Sequence, residues 1–286
     1  MTASISVVLA ARDDTPELHR NIESLTRQCA AVGGELLVAD GSAQGLPVAG
    51  AVRLPGADVF TLRCAAIAAA RGDVVAITED HCLVAGDWCA AHLDAHRRHP
   101  AALAIGGLVA NGSVGAPIDR ANFLVTFAPF MAPAPAFQPR RCGPVVNLSF
   151  VREALPLADL VPGFVELAWL PHLHRTGRLR LDPAIVATHV QSHGNFGTLM
   201  VHHHNGRSSA GLGPARPLRL AALARVARAP RRVAELLRET FAETRRRGQH
   251  IGPGATLGVV AIVLAHVSGD IAGCLLGPGK SPQRLA

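Results

Sequence analysis

The apolar residues of the first hundred positions fall into short runs separated by helical patterns. Residues 5–10 form a run that is β-branched at its start, through Ile5, Val7 and Val8, and reads as a buried strand. Thr15 and Pro16 supply a helix cap and a first-turn proline. Leu18, Ile22 and Leu25 follow at helical spacing. Residues 36–39 read as a second strand that ends in the turn signal Asp40-Gly41-Ser42, and residues 52–54 as a short third. Residues 60–70 read as a helix stopped by Gly72, 74–78 as a fourth strand, 86–98 as a helix before Pro100, and 102–108 as another apolar run. Strands alternating with helices predict βαβ units and a largely parallel sheet.

The pattern breaks over residues 109–144. Pro117, Pro129, Pro133, Pro135 and Pro139, with Phe123, Phe127, Phe130 and Phe137 among them, predict a long irregular loop or lid. A strand is expected over 145–150, a helix over 164–175 closed by Gly177, and two short strands over 179–181 and 185–187. Beyond residue 213 the character changes. Residues 217–247 are amphipathic and arginine-rich, with a break at Pro230, and residues 257–276 are mostly apolar, interrupted by His266 and Asp270. The expected organisation is an α/β domain over 1–212 and a helical, membrane-associating tail over 213–286.

Composition sharpens the reading of the tail. Hydrophobic residues make up 49% and charged residues 17%, which argues against disorder. Of the formal charge of +7, residues 217–247 carry a net +6, from nine arginines against three glutamates. Leu, Val and Ala recur at helical spacing between the arginines, the pattern of a helix lying on anionic lipid. Few aromatics interleave with them, so no nucleic-acid partner is expected. Residues 257–276 are long enough to cross a bilayer, but His266 and Asp270 make a simple crossing costly. A shallow or hairpin-like insertion, or packing on a partner, is favoured, and a buried core helix is the alternative. Cys29, Cys64, Cys82, Cys89, Cys142 and Cys274 show no CxxC spacing. With no leader-like pattern at the start, reduced thiols on the cytoplasmic face of the cell membrane are expected.

In a parallel sheet, ligands sit beyond the carboxyl ends of the strands. Three clusters stand there: residues 11–14, 40–42, and Glu79-Asp80-His81. The last could hold Mg²⁺ or Mn²⁺ against a diphosphate, imidazole favouring Mn²⁺; a solvated turn is the alternative. Asp40 could accept hydrogen bonds from a base or ribose, or form an Asx-turn. Arg12 could pair with a phosphate or lie at the surface. Glu166 sits beside Leu167, Trp169 and Leu170, where apolar surroundings would raise its pKa and suit it to act as a general base; an exposed glutamate is the alternative. His189 ends a strand and is a ligand candidate, whereas His202, His203 and His204 point in different directions along a helix and read as mostly structural or surface. No GxGxxG, P-loop or GxSxG pattern occurs.

The residues 4–12, 35–42 and 71–81, in that order, resemble family 2 glycosyltransferases of the GT-A fold. In those enzymes a strand, loop and acid hold the nucleotide, and an acidic DxD-type motif follows a strand that opens on a small residue, glycine and an acid. The resemblance covers roughly residues 4–210. It implies a GT-A, Rossmann-like mixed sheet, mostly parallel and flanked by helices, with a C-terminal helical extension. It implies that Ala11, Arg12, Asp40, Arg63, Glu79 and Asp80 contact the nucleotide, that Asp80, His81 and His189 hold Mn²⁺ or Mg²⁺, and that Glu166 is the catalytic base of an inverting transfer. This chain has His81 where the motif usually ends in Asp, and Leu167 where a second acid is usual. Residues 204–210 and 268–277 resemble segments of membrane-linked members. The implied partners are a nucleotide-sugar donor, a hydroxyl acceptor that is lipid-linked or an envelope glycan, and an anionic membrane surface. A nucleotidyltransferase is a weaker reading, since residues 10–13 lack the glycine-rich loop. A catalytically silent, nucleotide-sugar-binding membrane adaptor is kept open by His81 and Leu167.

Overall fold

The computed structural model describes residues 3–113, 115–133, 144–212 and 219–285. It divides into two compact units: residues 1–110 with 134–190, and residues 111–133 with 191–286. The tail boundary expected at 212/213 abuts residues 213–218, which lie outside the described residues, and residues 191–212 group with the tail.

The first unit is built on an eight-stranded sheet. β1 (Ile5–Ala11) is buried along its whole length. It pairs in parallel with β2 (Glu35–Asp40) and β4 (Val74–Glu79), and β2 pairs in parallel with β3 (Val52–Arg53). β5 (Cys82–Val84), β6 (Ala104–Asn111), β7 (Asn147–Val151) and β8 (Leu179–His189) complete the order β3-β2-β1-β4-β7-β6-β8-β5. β7 runs antiparallel to both β4 and β6, and β5 antiparallel to β8. Five strands, β1 to β4 and β6, therefore share one direction, and β7 is inserted against it. This is the mixed α/β sheet expected from the sequence.

Helices cover both faces. α1 (Pro16–Val32) starts where the Thr15 hydroxyl accepts from the Leu18 amide and stops at Gly33, whose φ of 69° a side chain would resist. α2 (Val59–Ala69) is capped by Asp58, and α3 is Trp88–Arg98. Strand alternation sends Val8 and Ala10 to a core with Leu62, Ala66 and Phe150, and Ile5 and Val7 to a core with Leu25, Trp88 and Leu93. Two expectations are corrected here. The strands expected at 179–181 and 185–187 are one strand, β8. The helix expected over 164–175 opens as a π-helical turn, Val165–Trp169, before a short α-helix, Leu170–Arg175.

The second unit is helical. The irregular loop expected over 109–144 is in part α4 (Pro117–Phe127), followed by a 3₁₀ turn over Ala128–Phe130. Pro117 fills a first-turn position, where the missing N–H costs nothing. Phe123, Phe127 and Phe130 are core; Pro135, Phe137, Pro139 and Cys142 lie outside the described residues. With the Leu170–Arg175 helix as α5, the remaining helices are α6 (Gly194–Leu212), α7 (Arg219–Ala227), α8 (Ala229–Arg246) and α9 (Pro253–Leu276). The break expected at Pro230 falls at the start of α8.

α9 is long and apolar enough to cross a membrane, by length and composition. One face is nonetheless core: Val259 and Ile262 pack with Ile118 and Ala121 of α4, and Val263 and Val267 with Leu236 of α8. Against α6 the backbones nearly touch. A Cβ on Gly206 would run into the His266 carbonyl, and one on Gly269 into the His203 carbonyl. The other face carries exposed Leu257, Leu264 and Leu275, with Leu276 at the end. Arg247 is also taken up internally: it is buried, and its guanidinium donates to the carbonyls of Pro129, Met131 and Pro133.

Candidate active site

Glu79 is the last residue of β4, and Asp80 and His81 form the turn into β5. β5 pairs with β8 so that Cys82 faces His189, and the Val190 amide donates to the His81 carbonyl at 2.9 Å. This pairing sets His189 beside the end of β4. His81 Nε2 lies 3.1 Å from His189 Nε2 and 3.2 Å from Glu79 Oε2. The rings of the two histidines meet edge to face, their centroids 4.7 Å apart.

Three donor atoms at such spacings match adjacent ligands of one ion bound at about 2.1 Å. Glu79, His81, Cys82 and His189 each offer a ligand atom, all within 4.8 Å of one another. Burial, the largest influence, pushes the Cys82 thiol well above its ordinary value, so ligation through it would have to displace a firmly held proton. Two imidazoles and one carboxylate fit a divalent transition ion such as Mn²⁺ and weigh against Mg²⁺, which prefers all-oxygen sites. Burial, the largest single influence on His81, disfavours its imidazolium, yet hydrogen bonds to Asp80 and Glu79 outweigh it and push His81 up to about 10. An ion would have to displace that proton.

Asp80 is not among the residues whose ligand atoms converge. Its Oδ1 faces His81 Nδ1 at 2.6 Å, which fixes the ring and leaves Nε2 for the centre, the outer partner that ligating histidines ordinarily have. Glu79, expected to contact nucleotide, stands in the set instead.

Arg63 explains the other side of the cluster. It is the one charged residue of the apolar helix α2 and is 5% exposed. Nη2 donates to Glu79 Oε1 at 2.5 Å, and Nη1 to Glu166 Oε1 at 2.8 Å. Its two terminal nitrogens thus donate to carboxylates, where the resemblance implied contact with the nucleotide; among the described residues its buried Nε has no hydrogen-bond partner. The π-helical turn Val165–Trp169 presents Glu166 to Arg63, and such turns recur at functional sites. Among the described residues nothing hydrogen-bonds the second oxygen of Glu166, Oε2.

Asp40 is corrected. It is wholly buried: Oδ1 accepts from the Ser42 amide, and Oδ2 from the Leu46 amide and Arg53. Burial pushes this carboxyl up, but the hydrogen bonds from Ser42, Leu46 and Arg53 outweigh it and hold it below its usual range. The Asx-turn alternative describes it, and no surface is left for a base or ribose. Ala11 ends β1, its carbonyl accepting from the Gly41 amide at 2.9 Å, and Arg12 follows. The histidine trio is structural, as expected: His202 meets Asn122, His203 meets Ser268 and His204 meets Ser281.

No family model and no curated protein matches the chain. Solved structures similar to it include a mycobacterial protein, at 17% identity and a TM-score of 0.45 over 66% of this chain and 68% of that one. Another is glucosyl-3-phosphoglycerate synthase from Mycobacterium tuberculosis with Mn²⁺, UDP-glucose and phosphoglyceric acid, at 14% identity and 0.39 over 66% and 72%. A third is a mannosyltransferase from Pyrobaculum calidifontis with GDP-mannose and Mn²⁺, at 18% identity and 0.44 over 95% and 73%.

A buried polar network beneath the sheet was hidden from sequence reasoning. Trp88 Nε1 donates to Asn147 Oδ1 at 2.7 Å, and the Asn147 side-chain amide donates to the Leu108 carbonyl, tying α3, β7 and β6 together. His92 and His96 both meet the Ser149 hydroxyl. The sequence signal for Asn147 and Ser149 is polarity inside an otherwise apolar run, and His92 and His96 carry none. For Arg63 the signal was a lone charge in an apolar helix, which demands a buried counter-charge.

Proposed function

We propose that this chain is a glycosyltransferase that moves a sugar from a nucleotide-sugar donor to a hydroxyl acceptor, with inversion. The observation that carries the reading is the convergence of Glu79, His81 and His189 beside the Arg63–Glu166 pair, at the strand ends where the motif resemblance expects donor and base. Glu79, His81 and His189 would hold the ion, with Asp80 orienting His81. A bound divalent ion would neutralise the charge that develops on a departing nucleoside diphosphate. Arg63 fixes one oxygen of Glu166 and so aims the other, Oε2, to take the proton of the attacking hydroxyl. Arg12, next to Ala11 at the end of β1, would meet the donor phosphates.

The second unit would rest on the cytoplasmic face of the cell membrane. Support comes from the exposed leucines of α9 and from the arginines of α7 and α8. An acceptor that is lipid-linked, or an envelope glycan, follows from that placement. The silent-adaptor reading has one observation in its favour: Arg63 neutralises both carboxylates that the chemistry would need.

Incubation of the protein with UDP- and GDP-sugars, with and without Mn²⁺, tests the proposal. Release of nucleoside diphosphate that depends on Mn²⁺ is expected. Nucleotide-sugar binding without release would point to the adaptor, and neither binding nor release would end the reading. Flotation with vesicles tests the membrane contact: binding should rise with anionic lipid and fall with salt.

A further inference from the structure

The second unit holds a cleft of about 730 Å³ bordered by α7, α8, α9 and the end of α6. Arg225, Arg228, Arg231 and Arg232 line it, against the acids Glu235 and Asp270. Glu235 is taken by Arg231 Nε at 2.9 Å, and Arg225 Nη1 donates to Cys274 Sγ at 3.3 Å. The side chains of Arg228 and Arg232 form no hydrogen bond and no ion pair within 4.0 Å among the described residues. Asp270 has only His266, at 4.0 Å, within that range. Guanidinium groups gathered round one cleft repel one another, and two carboxylates do not balance four of them. The planar donor fork of arginine matches phosphate oxygens in pairs.

The walls are not only charged. Val267 and Ile271 of α9 also line the cleft. Leu264 and Leu275, both about half exposed, stand three residues before Val267 and four after Ile271. Residues so spaced are neighbours on a helix surface, so the exposed leucine face of α9 runs alongside the basic cleft. Leu223, 59% exposed, lies two residues before Arg225 on α7. The volume is several times that of one phosphate and lies within the range of small-molecule sites.

From the juxtaposition of four clustered guanidinium groups with an exposed apolar helix face, we infer that this cleft binds the phosphate or diphosphate headgroup of an amphiphile, whose apolar chain lies along α9. The site rests on the membrane contact proposed above, which it sharpens from diffuse attraction to a saturable site, but it does not depend on sugar transfer.

The test uses the full chain, with farnesyl diphosphate and inorganic pyrophosphate as probes in calorimetric titration. Arg228 and Arg232 are exposed, so the double variant Arg228→Ala/Arg232→Ala leaves the core intact. Arg245→Ala/Arg246→Ala, exposed on the same stretch, removes equal charge outside the cleft. Farnesyl diphosphate is expected to bind saturably and about tenfold tighter than pyrophosphate, and the cleft variant to weaken it about tenfold, from lost charged hydrogen bonds. The control variant should change binding less than about twofold. Equal losses in both variants would reduce the effect to diffuse charge and overturn the proposal. Equal affinity for the two probes would make the ligand a soluble phosphate and overturn the amphiphile. Flotation with anionic vesicles alongside absent farnesyl diphosphate binding would sink the cleft while the membrane contact stood.

Discussion

His81 Nε2 and His189 Nε2 lie 3.1 Å apart across a sequence separation of 108 residues. Two protonated nitrogens could not face each other at that distance, so the pair shares one proton or one metal ion. Metal affinity should follow this geometry. His81→Ala and His189→Ala each delete a proposed ligand, and Mn²⁺ binding followed by electron paramagnetic resonance should become undetectable in both. Asp80→Asn, which only loosens the ring of His81, should weaken binding about 10–100-fold. A loss with Asp80→Asn as complete as with the histidine variants would make Asp80 a ligand after all.

Glu166→Gln keeps the side chain's size and one acceptor but removes the proposed base. Turnover should fall about 10²–10⁴-fold, with nucleotide affinity nearly unchanged, because the group acts in the transition state. Steady-state kinetics with a separate binding titration checks this. Parallel loss of binding would assign Glu166 a structural role.

Arg63→Met leaves the half-buried Glu79 and Glu166 without their shared cation. Breaking such a pair from one side costs about 3–5 kcal/mol, read as a lower urea midpoint at an unchanged slope. Arg63→Lys should recover part of the loss, one ammonium being unable to reach both carboxylates as the fork does. A change below about 1 kcal/mol for Arg63→Met would show that water screens the site.

His92 and His96 pack under the sheet against Ser149. Burial, the main cause for each, lowers His92 from 6.5 to about 3 and His96 to about 4. Above pH 6.5 both are neutral folded or unfolded, and their contribution to stability is complete. As pH falls below that value only the unfolded chain takes up protons, so stability is lost until the folded pKa values are reached. At pH 5 the loss is about 2 kcal/mol for fully buried His92. In His92→Gln the proton uptake on unfolding between pH 7 and 5 should drop by about one. An identical pH dependence of unfolding in the two proteins would place His92 in contact with water.

The contact between α6 and α9 has no room for a side chain at Gly269. Gly269→Val should destabilise the helical unit by about 1–3 kcal/mol or more, visible as faster proteolysis within residues 191–285. Ser268→Ala, beside it on the exposed side, loses only a solvent-exposed hydrogen bond with His203 and should cost less, about 1 kcal/mol at most. Removal of residues after 212 takes away the helix that α4 and α6 pack on, and the truncated chain should aggregate. A soluble, monomeric truncation would make the tail a dispensable anchor.

Much of this was legible in the chain itself. The runs that became β1, β2 and β4, the cap at Thr15, the end of α2 before Gly72 and the break near Pro230 all rest on local sterics and hydrophobic periodicity, which a sequence displays directly. Glu79-Asp80-His81 was legible as chemistry because three ligand-bearing side chains ended a buried strand. The lid over 109–144 misled because prolines signal irregularity, whereas Pro117 at a first helical turn is compatible with α4.

Local pattern could not say which of the strand-end acids would face a ligand. Asp40 and Asp80 look alike in sequence, yet one is folded into its own Asx-turn and the other holds the ring of His81. That choice depends on hydrogen-bond partners far along the chain: Arg53 for Asp40, and for His81 the register that sets Cys82 opposite His189. In the same way α9 has a membrane helix's composition, but only the approach of Gly206 and Gly269 to a neighbouring backbone made one of its faces core. The sequence determined which segments are strands and helices and which carry ligating chemistry, because those follow from each residue's own shape and polarity. The tertiary structure decided which of those residues meet, because burial forces each charge to find a partner, and the nearest partner in space is set by strand order and not by position in the chain.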